Sequence, residues 1–421
     1  MIEFETNYVN DCQGMQYFKD DADGSEYIYT ELEPDYCHIV FPCFDQPDLK
    51  ATHKSCVIAP ADWEVISNAA QISQTPPARA NSENAEIRNS LKRFEVSMQS
   101  PILQSFGSSE VICHEFDRTK PISTYLFAFV AGPFDALSPS PERDAELPQV
   151  PMRVFCRKSL TKYTQKIKDD WFRVTKASIR YYEQMFDTPY PFDKLDSIFC
   201  PDYSMGAMEN VGCITYNDDY IERDEHFTRY KQENIFNTVA HEISHQWFGN
   251  LVTMQWWDDL WLNESFANMI SYMAMDEGQG MEDITLAWNI FIDEQYSGLN
   301  EDQKDTSHPI AANVVHTGVA QDIFDGISYG KGAAFLHQMV FYLGKDVLKE
   351  GLKTYFAKYK FKNTELKDFI AELDVAAKKL GLAVDFTKWS DSWLTTAGCA
   401  RIDLTFDRDE QSGQLSNMKL I

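Results

Sequence analysis

The stretch His241–Ala267, HEISHQWFGNLVTMQWWDDLWLNESFA, decides how the rest of the chain reads. It opens on His241-Glu242-Ile243-Ser244-His245, the HExxH pattern of zinc sites that activate water. Residues four apart lie on one helix face, so both imidazoles can reach one ion. Glu242 lies beside His241, close enough to reach a water on that ion but not placed as a third ligand. Eighteen residues separate His245 from Glu264 in WLNESFAN. A turn and a second helix in that interval bring this carboxylate back against the first helix. Two His and one Glu leave one tetrahedral position open, the arrangement of a catalytic zinc. A structural zinc takes four protein ligands, usually including Cys, and no CxxC pair occurs. Two imidazoles are poor ligands for magnesium or calcium. Asn268, one turn after Glu264, reads equally as an outer partner of a ligand or as an ordinary polar helix residue.

Helical periodicity surrounds this stretch. Ile235, Val239 and Ile243 recur every four residues within an expected helix Lys231–Phe248, and Gly249-Asn250 is a stop signal. Phe266, Met269, Ile270 and Met273 repeat the pattern on the next helix. Trp171–Phe186 reads as a further amphipathic helix, and several more are expected between Gly330 and Trp393. Upstream the character changes. Tyr27–Tyr29, Lys54–Ile58, Trp63–Ser67 and Tyr125–Val130 are β-branched and aromatic runs separated by Gly, Pro, Asn and Asp. Thr75–Ser90 reads as a long loop, and the breaker-rich segment Ser138–Pro151 as a domain junction. After Gly398, ARIDLTF returns to a strand pattern.

Composition narrows the partners. A formal charge of −27 supplies no basic field for nucleic-acid phosphate, so that partner is excluded. An acidic surface suits cationic groups, of which a free peptide amino terminus is one. The 44% hydrophobic content allows sizeable cores. Nine cysteines, an odd number without CxxC pairs, fit a reduced cytoplasmic setting better than a disulfide scaffold. The amino terminus carries no secretory signal pattern, and no apolar run is long enough for a membrane span.

With these residues in hand, the chain resembles the aminopeptidase N-like gluzincins from about Tyr27 to Leu404. Gly206-Ala207-Met208-Glu209-Asn210 matches the GAMEN motif of these exopeptidases, which thermolysin-like endopeptidases lack. ISYGKGA places Tyr329 on the family's catalytic tyrosine, and TELEP followed by FPCFDQPDLKA is similar to the amino-terminal domain's part of the site. The resemblance implies an α+β fold. A partial, saddle-like β domain (1–136) precedes a thermolysin-like, mostly helical zinc domain (137–396). The start of a truncated β domain follows (397–421). The family's amino-terminal domain begins several strands earlier and a large helical domain follows, so truncation at both ends is expected.

The implied activity is removal of the amino-terminal residue from peptides by a zinc-activated water. His241, His245 and Glu264 are the implied zinc ligands, Glu242 the base, and Tyr329 the oxyanion donor. Glu209 and Glu33 are implied to hold the substrate's α-ammonium, with Glu31 a close rival to Glu33. Gly206 and Ala207 pair with the extended substrate, and Met205 lines the pocket for its first side chain. Three positions depart from the family pattern: His38 for Arg, Ser265 for Gly, and Gly330 for an acidic residue. Oligomeric state is not legible. A thermolysin-like endopeptidase, or a zinc-binding fragment without turnover, are the competing readings. An epoxide-hydrolase side activity, seen in some relatives, is not addressed by these residues.

Overall fold

A computed structural model of the chain describes residues 2, 4–75, 111–140, 150–223, 227–399 and 403–420. Parts of the expected loop after Thr75 and of the junction before Pro151 lie outside the described residues.

The amino-terminal part is strands and turns. β1 (Gly14–Lys19) and β2 (Glu26–Glu31) form an antiparallel pair, and the short helix α1 (Cys37–Val40) follows. β3 (Lys54–Pro60), β4 (Glu64–Ser67), β5 (Gln71–Thr75), β6 (Val111–Arg118) and β7 (Phe129–Gly132) complete it. They make a four-stranded sheet in the order β1-β2-β7-β4 and a three-stranded sheet in the order β3-β6-β5. The expected strand Tyr125–Val130 is only half strand. Thr124–Leu126 is a 3-10 turn, because Tyr125 turns inward to pack edge-on against Trp257 at 5.3 Å.

β8 (Phe134–Leu137), β9 (Met152–Arg157), β10 (Leu195–Cys200), β11 (Ala207–Met208) and β12 (Cys213–Asn217) form a second, mixed sheet. Its order is β11-β12-β10-β9-β8, with β9, β10 and β12 parallel. The boundary expected at 136/137 therefore falls inside β8. That strand pairs with β9 from Phe134 to Leu137, and the change of sheet comes at Pro133.

Helices cover this sheet. α2 (Thr161–Phe186) runs ten residues further toward its amino end than the periodicity indicates. α3 (Arg229–His245) starts at Thr228, whose side chain caps Lys231 N, and ends three residues earlier than expected. α4 (Leu260–Glu277) is buried on all faces as far as Met275, which makes it the central helix. α5 (Ala287–Glu301), α6 (Thr317–Asp322), a π-helical turn at Ile327–Lys331, α7 (Gly332–Leu343), α8 (Lys345–Tyr359), α9 (Leu366–Lys379) and α10 (Phe386–Leu394) follow. A small parallel bridge joins β13 (Thr253–Met254) to β14 (Asn363–Thr364), and β15 (Leu404–Arg408) with β16 (Leu415–Leu420) forms an exposed hairpin.

One apolar core holds the two parts together. Tyr27 and Val130 from the first sheet and Tyr125 from the 3-10 turn pack with Phe155, Ile198, Trp257 and Leu260 from the second part. Burial of aromatics on this scale fixes the relative position of the parts. One cysteine expectation needs correction. Cys56 on β3 and Cys113 on β6 are joined as a disulfide. They lie 57 residues apart in sequence, and only the antiparallel pairing of their strands brings them together. The other seven cysteines are free. No described helix is long and apolar enough to cross a membrane.

Candidate active site

α3 and α4 lie against each other, and polar rungs lock their register. Asn237 donates to Ser271 Oγ at 2.8 Å. One turn along, His241 Nδ1 lies 3.0 Å from Asn268 Oδ1, so Asn268 is the outer partner rather than a bystander. His245 Nδ1 lies 3.1 Å from the Phe248 carbonyl. That carbonyl comes back because α3 stops at His245 and Gly249, at φ +122°, turns the chain in a conformation that suits only glycine.

These two acceptors decide the tautomers. Each keeps a proton on Nδ1 and leaves a lone pair on Nε2. The two Nε2 atoms are 2.9 Å apart, and Glu264 Oε2 is 3.3 Å from one and 3.6 Å from the other. Three electron-pair donors thus converge in a buried spot, which a cation satisfies and bare side chains do not. A nitrogen, nitrogen, oxygen set with one direction open fits zinc. Burial works against a charged His245, but Glu209, Glu264 and Glu242 outweigh it and hold its pKa up at about 10. Burial alone would raise Glu264, yet the imidazoles pull its carboxyl well below the usual range.

A cleft of about 300 Å³ opens in front of these donors. Nine of the ten sequence-predicted site residues line it, and His245 sits behind its wall. Glu242, Glu209 and Glu33 are at most 5% exposed, and each has one carboxylate oxygen without a hydrogen-bond partner. Buried polar atoms are almost always paired, so these three oxygens are free to take a ligand's polar groups. Glu33, Glu209 and Glu264 each place an oxygen within 4.8 Å of the other two. Burial first, and then mutual repulsion, pushes Glu33 and Glu242 well above the ordinary carboxyl range. Burial also lifts Glu209 to about 7, against a pull from His245. Such a cluster demands positive charge.

Glu31 and Glu33 differ in their surroundings. Glu31 is occupied: it accepts from the Tyr203 hydroxyl and from the Glu33 backbone N–H at 3.3 Å. Glu33 reaches the cleft with an oxygen free.

The strand β11 supplies another wall. Ala207 and Met208 pair with Tyr216 and Thr215 on β12, and β11 is the last strand of its sheet. Its outer edge is a template for an added strand. Sequence reading missed what fixes this loop. The Gln246 and Asn250 side chains both donate to the Glu209 carbonyl, at 3.0 and 2.7 Å. The signal was present in HQWFGN, but which backbone those amides would reach was not. Met205, half-buried, stands at the start of this wall.

Tyr329 sits in the π-helical turn, a backbone form often found at functional sites. Its ring lies nearly parallel to that of His241 at 6.3 Å, and its hydroxyl hydrogen-bonds toward Glu264. The departures from the family pattern have local reasons. A Cβ on Gly330 would meet the Glu294 carbonyl at 2.1 Å, so α5 and the turn pack backbone to backbone. The Ser265 hydroxyl donates to the Ser328 carbonyl at 2.5 Å, tying the helix of Glu264 to the turn of Tyr329. His38 keeps an ion-pair position through Asp45, 3.3 Å away.

Two antiparallel helices, a cluster of cation-seeking carboxylates and an open sheet edge define the architecture of a metallopeptidase. The chain belongs to peptidase family M1: residues 171–393 match the peptidase family M1 domain, and residues 1–89 match the peptidase M1 N-terminal domain. That family implies a metal at the cluster of His241, His245 and Glu264. The chain is 34% identical over 392 residues to "Aminopeptidase N" of Streptomyces lividans, covering 93% of this chain and 40% of that protein. It is 32% identical over 372 residues to "Aminopeptidase M1" of Arabidopsis thaliana (88% and 37%). It is 31% identical over 368 residues to "Leucyl aminopeptidase" of Saccharolobus solfataricus (87% and 41%). The chain thus spans about two fifths of the length of these curated relatives.

Proposed function

We propose that this chain is a zinc aminopeptidase that removes the amino-terminal residue from peptides. The observation that carries this reading is the pair Glu33 and Glu209, buried, each with an unpartnered oxygen, beside the metal-ligand carboxylate Glu264. Two carboxylates on one ammonium give charge-assisted hydrogen bonds and fix the substrate's register. They sit next to the ligand set, so the first peptide bond is the one presented.

Zinc held by His241, His245 and Glu264 would polarise the scissile carbonyl and acidify a water. Glu242 takes that water's proton and later gives it to the leaving amine. The Tyr329 hydroxyl, kept protonated by burial and by the neighbouring carboxylates, donates to the oxyanion that develops on the carbonyl. The edge of β11 at Gly206 and Ala207 pairs with the substrate backbone. Met205 lines the pocket for the first side chain, where a thioether adapts to varied shapes.

The test compares an aminoacyl aryl amide with its N-acetylated form, before and after chelation and zinc restoration. Zinc-dependent cleavage of the free amine alone is expected. Equal cleavage of both would instead mean an endopeptidase. Cleavage of neither by the zinc-loaded chain would mean a fold that binds metal without turnover.

A further inference from the structure

A second set of metal-binding side chains lies outside the cleft, on the loop that follows Glu33. Cys37 opens α1 and is fully buried, and Cys43 is half-buried six residues on. The Asp45 side chain is 6% exposed. The two sulfurs and one Asp45 oxygen all lie within 4.8 Å of one another. His38, on the same helix, points Nδ1 at Asp45 Oδ2 from 3.3 Å.

We propose that Cys37, Cys43 and Asp45, with His38 beside them, form a second metal site that takes a thiophilic divalent cation such as zinc. The donor chemistry selects the ion. Two sulfurs exclude magnesium and calcium, which want oxygen, and favour zinc or cadmium. Two Cys and one carboxylate supply three donors within 4.8 Å of one another, with the His38 imidazole standing beside Asp45 outside that group, and a sulfur-bearing set is the mark of a structural rather than a catalytic site.

Asp45 is already aimed. Its Oδ1 accepts from Thr124 Oγ1 at 2.5 Å and its Oδ2 from the His38 backbone N–H at 2.8 Å. Such outer hydrogen bonds orient a ligand carboxylate. Leu32, Val40 and Phe127 pack around the buried Cys37 side of the site. As the loop stands, its electrostatics are unfavourable to thiolates. Burial first, then Cys43 and the Asp45 carboxylate, raises the Cys37 thiol; burial and then Asp45 raise Cys43 against a smaller pull from Cys37. A divalent cation reverses that sign, and binding exchanges the two thiol protons, released to solvent, for one metal ion.

The position gives the site a consequence. Cys37 follows Glu33 by four residues, and Lys50, five past Asp45, donates to the Asn250, Leu251 and Lys362 carbonyls. A metal at Cys37, Cys43 and Asp45 would clamp the segment between these two anchors and so hold Glu33.

The test uses the reduced 421-residue chain, stripped by chelator and titrated with cobalt(II) alone. The His241, His245 and Glu264 set offers no sulfur, so a near-ultraviolet thiolate-to-cobalt band that is lost in Cys43→Ser reads the second site and not thiols freed at Cys56 and Cys113. Two cobalt ions per chain and this band are expected. Cys43→Ser, at the half-buried position, should lose the band and drop bound cobalt from two to one. His245→Ala should keep the band. One cobalt per chain without the band in the folded, reduced protein would overturn the proposal, as would a band that survives Cys43→Ser. The proposal also fails if mass spectrometry finds a Cys37–Cys43 disulfide in the protein as isolated while the reduced form gives no band.

Discussion

Asn268→Ala should loosen the catalytic metal without disturbing the fold. Asn268 is 6% exposed and its Oδ1 holds His241 Nδ1 at 3.0 Å. Removing the acceptor strands an imidazole N–H in a buried place, a defect worth about 1–3 kcal/mol. It also frees the ring to turn or to change tautomer. Loss of such an outer partner typically weakens metal binding by about 10- to 100-fold, or roughly 1.4–2.7 kcal/mol. The helix pair itself should survive. The Asn237–Ser271 rung remains, and the Ser271 bond to residue 268 goes to its backbone carbonyl and not to its side chain. Asn268→Asp keeps the acceptor and should keep the affinity. Zinc affinity is measured by competition with a chromophoric chelator, with a thermal melt as the control for folding. A well-folded Asn268→Ala chain that holds zinc within about twofold of the parent would refute the idea that this amide sets the His241 tautomer.

Other predictions address chemistry, electrostatics and packing. Glu242→Gln should retain zinc but lose at least about a hundredfold in kcat, read on the aryl amide; near-parental turnover would remove Glu242 as the base. Asp259 is raised to about 6, mainly by burial, from an ordinary 3.8, with the Leu366 N–H pulling it back. A raised carboxyl contributes stability that is fully present below the unfolded pKa and is lost as pH rises through the folded one. Asp259→Asn should therefore stabilise the chain at pH 8 by about 1–3 kcal/mol, with the gain fading below about pH 4; denaturant melts at the two pH values check it. Gly330→Ala must push the Tyr329 turn away from the Glu294 carbonyl, at a cost of about 1–3 kcal/mol. Its melting point and kcat should both fall while zinc content stays at the parental value.

Much of the site was legible because it is local. HExxH on a helix fixes two imidazoles on one face whatever surrounds them, and Glu264 follows at a spacing one turn and one helix can close. GAMEN marked Glu209, and ISYGKGA marked Tyr329. Strand and helix classes followed from periodicity, yet their ends did not. α2 gained ten residues because its first turns are only partly buried and carry a weak apolar signal. Tyr125 left its expected strand because Trp257, 132 positions further along, offered it an aromatic partner.

The sequence by itself therefore determined the donor types: two imidazoles at helical spacing, a carboxylate beside the first, and a second carboxylate after eighteen intervening residues. Tertiary structure decided between near neighbours. Glu31 and Glu33 are two residues apart and chemically alike. Only the Tyr203 hydroxyl that occupies one of them leaves the other facing the cleft. Asn268 became a partner of His241 only when two helices met, and Cys56 found Cys113 only through strand pairing. The reason is range. Backbone periodicity carries information over a few residues, whereas the environment of a buried carboxylate, amide or thiol is set by chain segments that can be a hundred or more residues away.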